Sequence, residues 1–87
     1  MKDKRELARV WAEDKPAVHV GKGGVDERVM EEVRRQLKRQ RLIKVRVLPS
    51  ALAAVPFDDL VMNLVTQTGA VAYGRRGFVV VLGRKGL

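Results

Sequence analysis

The sequence predicts an α/β domain of the two-layer α+β kind, in which helices pack on one small sheet, with the element order α-β-α-β-α-β-β. Stretches with apolar residues at helical spacing alternate along the chain with short runs rich in β-branched residues. The last two of these runs flank a short glycine-containing segment, which is typical of an antiparallel hairpin. A chain of 87 residues is long enough for one core, so residues 1–87 are predicted to form one domain.

The first part of the chain predicts a helix followed by a short strand. The helix covers residues 2–14, from Lys2 to Asp14, and its apolar face consists of Leu7, Val10 and Trp11. Pro16 ends this helix, because proline cannot continue the backbone hydrogen bonding. Residues 17–20, Ala-Val-His-Val, are predicted to form a strand that stops at Gly21.

The second helix is predicted to begin after Asp26, whose short carboxylate suits an N-cap. Glu27 then lies in the first turn, where the helix dipole favours negative charge. The apolar stripe of this helix consists of Val29, Met30, Val33 and Leu37. Its last turn is basic, which suits a helix C-terminus, with Lys38, Arg39 and Arg41.

The run Leu-Ile-Lys-Val-Arg-Val-Leu that follows alternates between apolar and basic residues. It predicts a half-buried strand with one buried face, formed by Ile43, Val45 and Val47. The other face is predicted to be basic and outward, since it carries Lys44 and Arg46.

The last part of the chain predicts a connection, a helix and a hairpin. Residues 49–56 form a small-residue connection in which Ser50 opens a brief helical turn. The helix after it ends at Gly69, and its apolar stripe consists of Phe57, Leu60, Val61, Leu64 and Val65. Residues 70–73 and 78–82 are predicted to be the two hairpin strands, with Gly-Arg-Arg-Gly as the loop, and residues 83–87 to be a frayed tail.

The charge balance is the strongest global feature, with 18 Lys and Arg against 10 Asp and Glu and a net charge of +8. A small basic domain attracts polyanions, of which nucleic acids are the commonest in a cytoplasm. The absence of cysteine excludes disulfides and thiolate metal sites. No run approaches the roughly 18–20 apolar residues that cross a bilayer, and the start is not a secretory signal. We therefore expect a cytoplasmic protein that has no membrane partner.

Three glycine pairs with the spacing G-x-x-G occur, at residues 21–24, 74–77 and 83–86. The second lies in the predicted hairpin, where glycines supply the positive φ angles of the turn, and the third lies in the predicted tail with no helix after it. The first, Gly21-Lys22-Gly23-Gly24, joins a strand end to a helix start. Backbone N–H groups of a first helical turn lack partners there, glycines allow a phosphate to approach closely, and Lys22 adds a cation. This pair is therefore the candidate phosphate-binding loop, and a plain turn between strand and helix is its alternative.

Basic residues extend this candidate site. Arg28, Arg35 and Arg39 fall on one side of the second helix, where they could follow a nucleic-acid backbone away from the loop. Alternatively they form ordinary helix ion pairs, Arg28 with Glu32 and Arg35 with Glu31. Further candidates are Lys44, Arg46, Arg75 and Arg76. Because aromatic residues are few, recognition of backbone and shape is favoured over the reading of individual bases.

Catalysis and cofactor binding are not expected. The one histidine, His19, and the one serine, Ser50, lie on separate predicted elements. A dinucleotide fingerprint would require glycine where Asp26 stands, and the P-loop sequence Gly-Lys-Ser/Thr is absent. We expect no enzyme activity, no cofactor, no metal and no small-molecule substrate.

The chain resembles the CRM domain (chloroplast RNA splicing and ribosome maturation), also called the YhbY family, from about Leu7 to Arg84. The resemblance lies in Val-Gly-Lys-Gly-Gly-Val before an acid-started helix, Leu-Ile-Lys-Val-Arg-Val, Thr-Gly-Ala and Gly-Phe-Val-Val-Val-Leu. It implies the fold of the C-terminal domain of translation initiation factor three, with a mixed four-stranded sheet. It also implies RNA binding, with precursors of the large ribosomal subunit as partners and the loop Gly21, Lys22, Gly23 and Gly24 as the contact. Residues 49–56 resemble the family least.

Two other functions remain open at the level of sequence. Alba-like chromatin proteins are also small and basic and place a Gly-Lys loop after their first strand, although Gly-Gly-Val before an acid-capped helix departs from their pattern. A protein-binding scaffold that docks through the apolar face of the first helix is the third possibility. The protein is expected to act as a monomer in each case.

Overall fold

A mixed four-stranded sheet forms the centre of the molecule in a computed structural model that describes residues 4–86. The predicted helix start at Lys2 and the last tail residue, Leu87, lie outside the described residues. The helices are α1 (Lys4–Ala12), α2 (Glu27–Arg39), α3 (Pro49–Leu52) and α4 (Phe57–Thr68). The strands are β1 (Val18–Val20), β2 (Leu42–Val47), β3 (Val71–Arg76) and β4 (Val79–Gly83).

The strands lie in the order β1-β2-β4-β3. The edge strand β1 runs parallel to β2, and α2 makes the crossover that a parallel pair requires. The pairs β2–β4 and β4–β3 are antiparallel. The predicted mixed sheet with packed helices is thus confirmed, and the short helix α3 is added to the predicted order.

The main core lies between one face of the sheet and the helices α2, α3 and α4. The alternation in β2 directs Ile43, Val45 and Val47 into this core, as predicted. The central residues of the predicted helix stripes, Val33, Leu60 and Leu64, are also buried there. Burial of these side chains is the main term that stabilises the fold, since each contributes roughly 1.5–3 kcal/mol.

The opposite face of the sheet is partly covered by α1, which adds a layer to the two that were predicted. Val10 of α1 packs on Leu42 and Val81, with Trp11 and Tyr73 at the margin. This cover is needed because β4 carries apolar side chains toward both faces, with Val80 and Val81 both fully buried. α1 therefore buries the apolar side chains of the sheet that point away from the main core.

Lys44 is the residue for which this cover has the largest consequence. The prediction of an exposed, outward-facing Lys44 is wrong, because its side chain is only 9% exposed beneath α1. Its ammonium donates hydrogen bonds to the carbonyl oxygens of Trp11, at 3.3 Å, and of Glu13. Trp11 lies in the last turn of α1 and Glu13 directly follows that helix. Backbone acceptors lack helical partners there, so Lys44 fastens the end of α1 to β2.

We predict that Lys44→Met destabilises the domain by about 1–2 kcal/mol, because methionine fills the space but leaves both carbonyl groups without their donor. Urea unfolding monitored by circular dichroism measures this loss. Arg46→Met on the same strand is the matched control, since Arg46 is exposed, and it should leave the midpoint of unfolding nearly unchanged. Equal midpoints for the two variants would contradict the structural role of Lys44.

The helix ends agree with their sequence signals. Asp26 caps α2 by accepting a hydrogen bond from the N–H of Val29 at 2.9 Å. Gly69 ends α4 in the left-handed region, with φ of 75°. The connection at residues 49–56 begins with Pro49 in the first turn of α3, and the cap position is Leu48 instead of Ser50. α2 thus begins after Asp26 and α4 ends before Gly69, as these two cap residues predicted.

The hairpin is present, but its turn is shorter than predicted. Only Gly77 and Phe78 form the turn, and Gly77 adopts φ of 56°. Gly74 lies inside β3 beside a bulge, and a Cβ on it would lie 3.4 Å from the Trp11 ring. Arg75 and Arg76 are therefore strand residues, and the prediction that they lie in the hairpin loop is wrong. Both arginines pair with residues of β4 in continuous register, so they extend β3 instead of forming a loop.

The predicted frayed tail is also wrong for its first two residues. Gly83 is a buried residue of β4, paired with Leu42. The Arg84 guanidinium donates to the carbonyl oxygens of Leu37 and Lys38, which are acceptors at the C-terminal end of α2. The Tyr73 hydroxyl in turn donates to the Arg84 carbonyl at 2.8 Å. These contacts hold the chain against the fold through residue 84.

Candidate nucleic-acid interface

The first glycine pair forms a tight turn between β1 and α2. The N–H of Gly24 donates to the carbonyl of Gly21 at 2.8 Å, and Gly24 takes φ of 65°. A Cβ on Gly23 would lie 2.7 Å from the Asp26 carboxylate. Glycine is therefore required at position 24 by the positive φ and at position 23 by the closeness of Asp26. Lys22 lies at the exposed tip of the turn. Turn geometry alone explains those glycines, so the binding hypothesis depends on what surrounds the turn.

A cleft of about 410 Å³ opens beside this turn, between β1 and the first half of α2. Its cationic lining consists of Lys22, Arg28 and Arg35. Two carboxylates also line it, but Asp26 is engaged as the N-cap, and Glu32 pairs with Arg35 and accepts from Gln36 at 3.0 Å. Within the described part of the chain, Lys22 and Arg28 make no ion pair. The cleft therefore presents uncompensated positive charge next to the turn.

The alternative interpretation of the basic residues of α2 was a set of i,i+4 ion pairs, Arg28 with Glu32 and Arg35 with Glu31. Among the described residues Glu32 pairs instead with Arg35 across i,i+3, so Arg35 is engaged by a different carboxylate and Arg28 by none. Because Glu32 also accepts from Gln36, its carboxylate is held toward the C-terminal side of α2 and away from Arg28. Arg39, the last residue of the predicted stripe, is exposed at the end of α2 and does not line the cleft.

A second group of basic side chains lies on the sheet face that α1 only partly covers. His19 is opposite Arg46, Arg46 is opposite Val79, and Val79 is opposite Arg76, so the four residues cross the sheet in one row. His19, Arg46 and Arg76 are exposed, and the Arg76 guanidinium lies 4.6 Å from the centre of the Trp11 ring. We call these residues the sheet row. Strand alternation placed Arg46 on this face, but only the register joined it to His19 and Arg76.

Arg75 lies on the other face of β3. Its guanidinium pairs with the Asp58 carboxylate and lies 4.8 Å from the centre of the Phe57 ring. The structure thus separates Arg75 from Arg76, which the sequence placed together. It brings Lys22, Arg28 and Arg35 to one cleft and Arg46 and Arg76 to the sheet row, and it places Lys44 beneath α1.

Among the described residues, no helix is long and apolar enough to span a membrane. In the same part of the chain, no group of three or more His, Cys, Asp or Glu side chains is placed to hold a metal ion.

Fold and surface together define a small basic α+β domain with a glycine turn between its first strand and its second helix. The chain belongs to the CRS1/YhbY (CRM) domain family, whose model matches residues 1–84. The solution structure of the hypothetical protein SAV1595 from Staphylococcus aureus is similar, with a TM-score of 0.68 and 24% sequence identity. The similarity covers 99% of this chain and 88% of that one. A comparison with curated protein sequences finds no match.

Proposed function

We propose that this domain is an RNA-binding protein that acts on ribosomal RNA in precursors of the large ribosomal subunit and assists their assembly. The observation that carries the proposal is the cleft beside the glycine turn, where Lys22 and Arg28 remain without ion-pair partners among the described residues. The net charge of +8 supports the same class of ligand. The similar Staphylococcus aureus protein is itself described as a candidate RNA-binding protein.

In this proposal the glycine turn contacts one phosphate and the basic side chains on both sides contact others. Lys22 reaches from the tip of the turn, since its long flexible stem carries a compact charge. Arg28 and Arg35 line the cleft along α2, and Arg46 and Arg76 extend the surface across the sheet row. These contacts position the RNA backbone and do not by themselves read sequence. The protein acts as a cytoplasmic monomer, without enzyme activity or a cofactor.

We predict tight binding to structured ribosomal RNA, weaker binding to duplex DNA, and a marked dependence on salt. If roughly 4–6 phosphates are contacted, the slope of log K against log salt should be about −3 to −5. Fluorescence anisotropy with labelled RNA and DNA stem-loops of equal length, from about 50 to 300 mM salt, measures both quantities. Equal or tighter binding to duplex DNA would contradict the ribosomal proposal and favour a chromatin-type protein.

Copurification tests the cellular part of the proposal. A tagged protein should sediment with precursors of the large subunit and be depleted from mature ribosomes. Sedimentation with mature small subunits, or with chromosomal DNA, would contradict the assignment to large-subunit assembly while leaving nucleic-acid binding intact.

A further inference from the structure

Phe78 is an exposed aromatic residue in a position that does not require one. It occupies the second place of the two-residue hairpin turn, and Gly77 at the first place takes the positive φ, as in a type II′ turn. Phe78 itself does not adopt a positive φ, so the turn does not dictate which residue stands there. Its side chain is 57% exposed. Packing therefore uses only part of the ring, and the rest of its surface is open to a ligand.

The Phe78 ring is nevertheless held in place. The Phe78 carbonyl accepts a hydrogen bond from the N–H of Val47 at 2.9 Å, which fixes the turn to the end of β2. The ring makes an edge contact with Phe57, with centroids 5.5 Å apart and planes at 71°. A ring that is fixed at one edge and exposed elsewhere is suited to stacking against a flat ligand, because little side-chain freedom is lost on binding.

Phe78 also lies at the same end of the sheet as the glycine turn. The chain enters that turn after Val20, whose carbonyl accepts from Leu48 at 2.8 Å, next to the Val47 contact of Phe78. Along the sheet β2 separates β1 from β4, so the two turns are about 10 Å apart at this end. Val79, which follows Phe78, has Arg46 and Arg76 as its two neighbours across the sheet. Their side chains lie on the face that α1 partly covers, whereas the Phe78 ring lies on the side of Phe57 and Arg75. The ring and these cations therefore lie at the same end of the sheet but on opposite faces, so one RNA strand has to round this end to contact the ring, the two arginines and Lys22 together.

We infer that Phe78 stacks against an unpaired base of the bound RNA, while Arg46, Arg76 and Lys22 hold phosphates on the same strand. This inference rests on the proposed function and adds the kind of RNA that is bound, a single-stranded or looped segment. Stacking on an aromatic ring requires a base that has left its helix, and a continuous duplex does not offer one. Recognition by backbone and shape, expected from the scarcity of aromatic residues, then includes one base contact.

The test compares two RNAs that share one stem: a stem-loop with an unpaired loop, and a fully paired duplex of the same charge. Phe78→Ala should weaken binding to the stem-loop by about ten-fold and leave binding to the duplex unchanged. Phe78→Tyr should restore stem-loop binding, since tyrosine keeps the flat ring. Met62→Ala is the matched control, because Met62 is an apolar side chain of α4 that is 63% exposed, and it should bind both RNAs as the wild type does.

Equal loss on both RNAs, or no loss on the stem-loop, would overturn the base-stacking role of Phe78. The second result would also follow if the ring served a protein partner. If the folded wild-type protein binds neither RNA, the proposed function itself fails, which separates the two failures. Should Phe78→Ala not fold, judged by circular dichroism, loop RNAs with a single abasic position replace it. Weaker wild-type binding at one such position supports stacking, and unchanged binding at every position overturns it.

Discussion

Replacing Gly83 by valine should destabilise the domain by about 3 kcal/mol, although the new residue is a good strand former. A Cβ at this position would lie 2.6 Å from a methyl carbon of Leu42 and 2.8 Å from the Tyr73 ring. Neither neighbour can move easily, because Leu42 is buried in the smaller core beneath α1 and the Tyr73 hydroxyl donates to the Arg84 carbonyl. Overpacking of this kind forces side chains from their rotamers or separates the strands.

Thermal unfolding measures the effect, with an expected fall in Tm of about 15 °C for a domain of this size. Gly83→Ala should lie between valine and the wild type, since it adds only the Cβ. Gly21→Ala is the control, because the nearest atom to a Cβ there is 3.7 Å away, and its Tm should hardly change. A Gly83→Val variant as stable as the wild type would show that the chain near Gly83 can separate from β2 at low cost.

Replacing both Lys22 and Arg28 by alanine should weaken RNA binding by about 30-fold at 0.1 M salt. Each lost phosphate contact lowers the magnitude of the salt slope by about 0.8. At 0.1 M salt, one decade below the 1 M reference at which the electrostatic term vanishes, this is about a six-fold loss of affinity. Two such losses multiply to about 30-fold in affinity, and the magnitude of the salt slope should decrease by about 1.5. Both side chains are exposed and without ion-pair partners among the described residues, so the fold should be unaffected.

Arg9→Ala with Lys38→Ala is the matched control, because it removes the same charge from exposed helix positions outside the cleft. Lys38 lies ten residues after Arg28 on α2, about 15 Å along the helix. This control should bind RNA only slightly more weakly than the wild type, because it loses general positive charge but no contact in the cleft. If both double variants bind alike, long-range attraction accounts for the binding and the cleft has no special part in it. A folded Lys22 and Arg28 variant that binds RNA undiminished would remove the glycine turn from the interface.

The order of helices and strands could be predicted from sequence because each depends on neighbours within a few positions. The period of apolar residues in α2 and α4 and the alternation in β2 report which side faces the main core, whatever the topology. The caps at Asp26 and Gly69 are likewise local, since each satisfies or ends the backbone bonding of its own helix. The glycine turn could be located for the same reason, as a strand end followed at once by a capped helix.

The positions of the charged side chains relative to one another could not be predicted in this way. Lys44 was expected outside and is buried, because α1 returns over the sheet from a distant part of the sequence. Arg75 and Arg76 were expected together, but continuation of β3 sends neighbouring side chains to opposite faces. Arg84 was expected in a loose tail and instead caps α2, which ends 45 residues earlier in the chain at Arg39.

Sequence alone determined that this is a basic α+β domain with a glycine turn in front of a capped helix. Periodicity and capping depend only on short segments of the chain, and net charge is a sum over its residues. Tertiary structure decided which cations remain available on the surface. It paired Arg35 with Glu32 and Arg75 with Asp58, covered Lys44, and joined His19, Arg46 and Arg76 through strand register. The physical reason is that the availability of a charge depends on its neighbours in space, and strand pairing and helix packing bring those neighbours from remote parts of the chain.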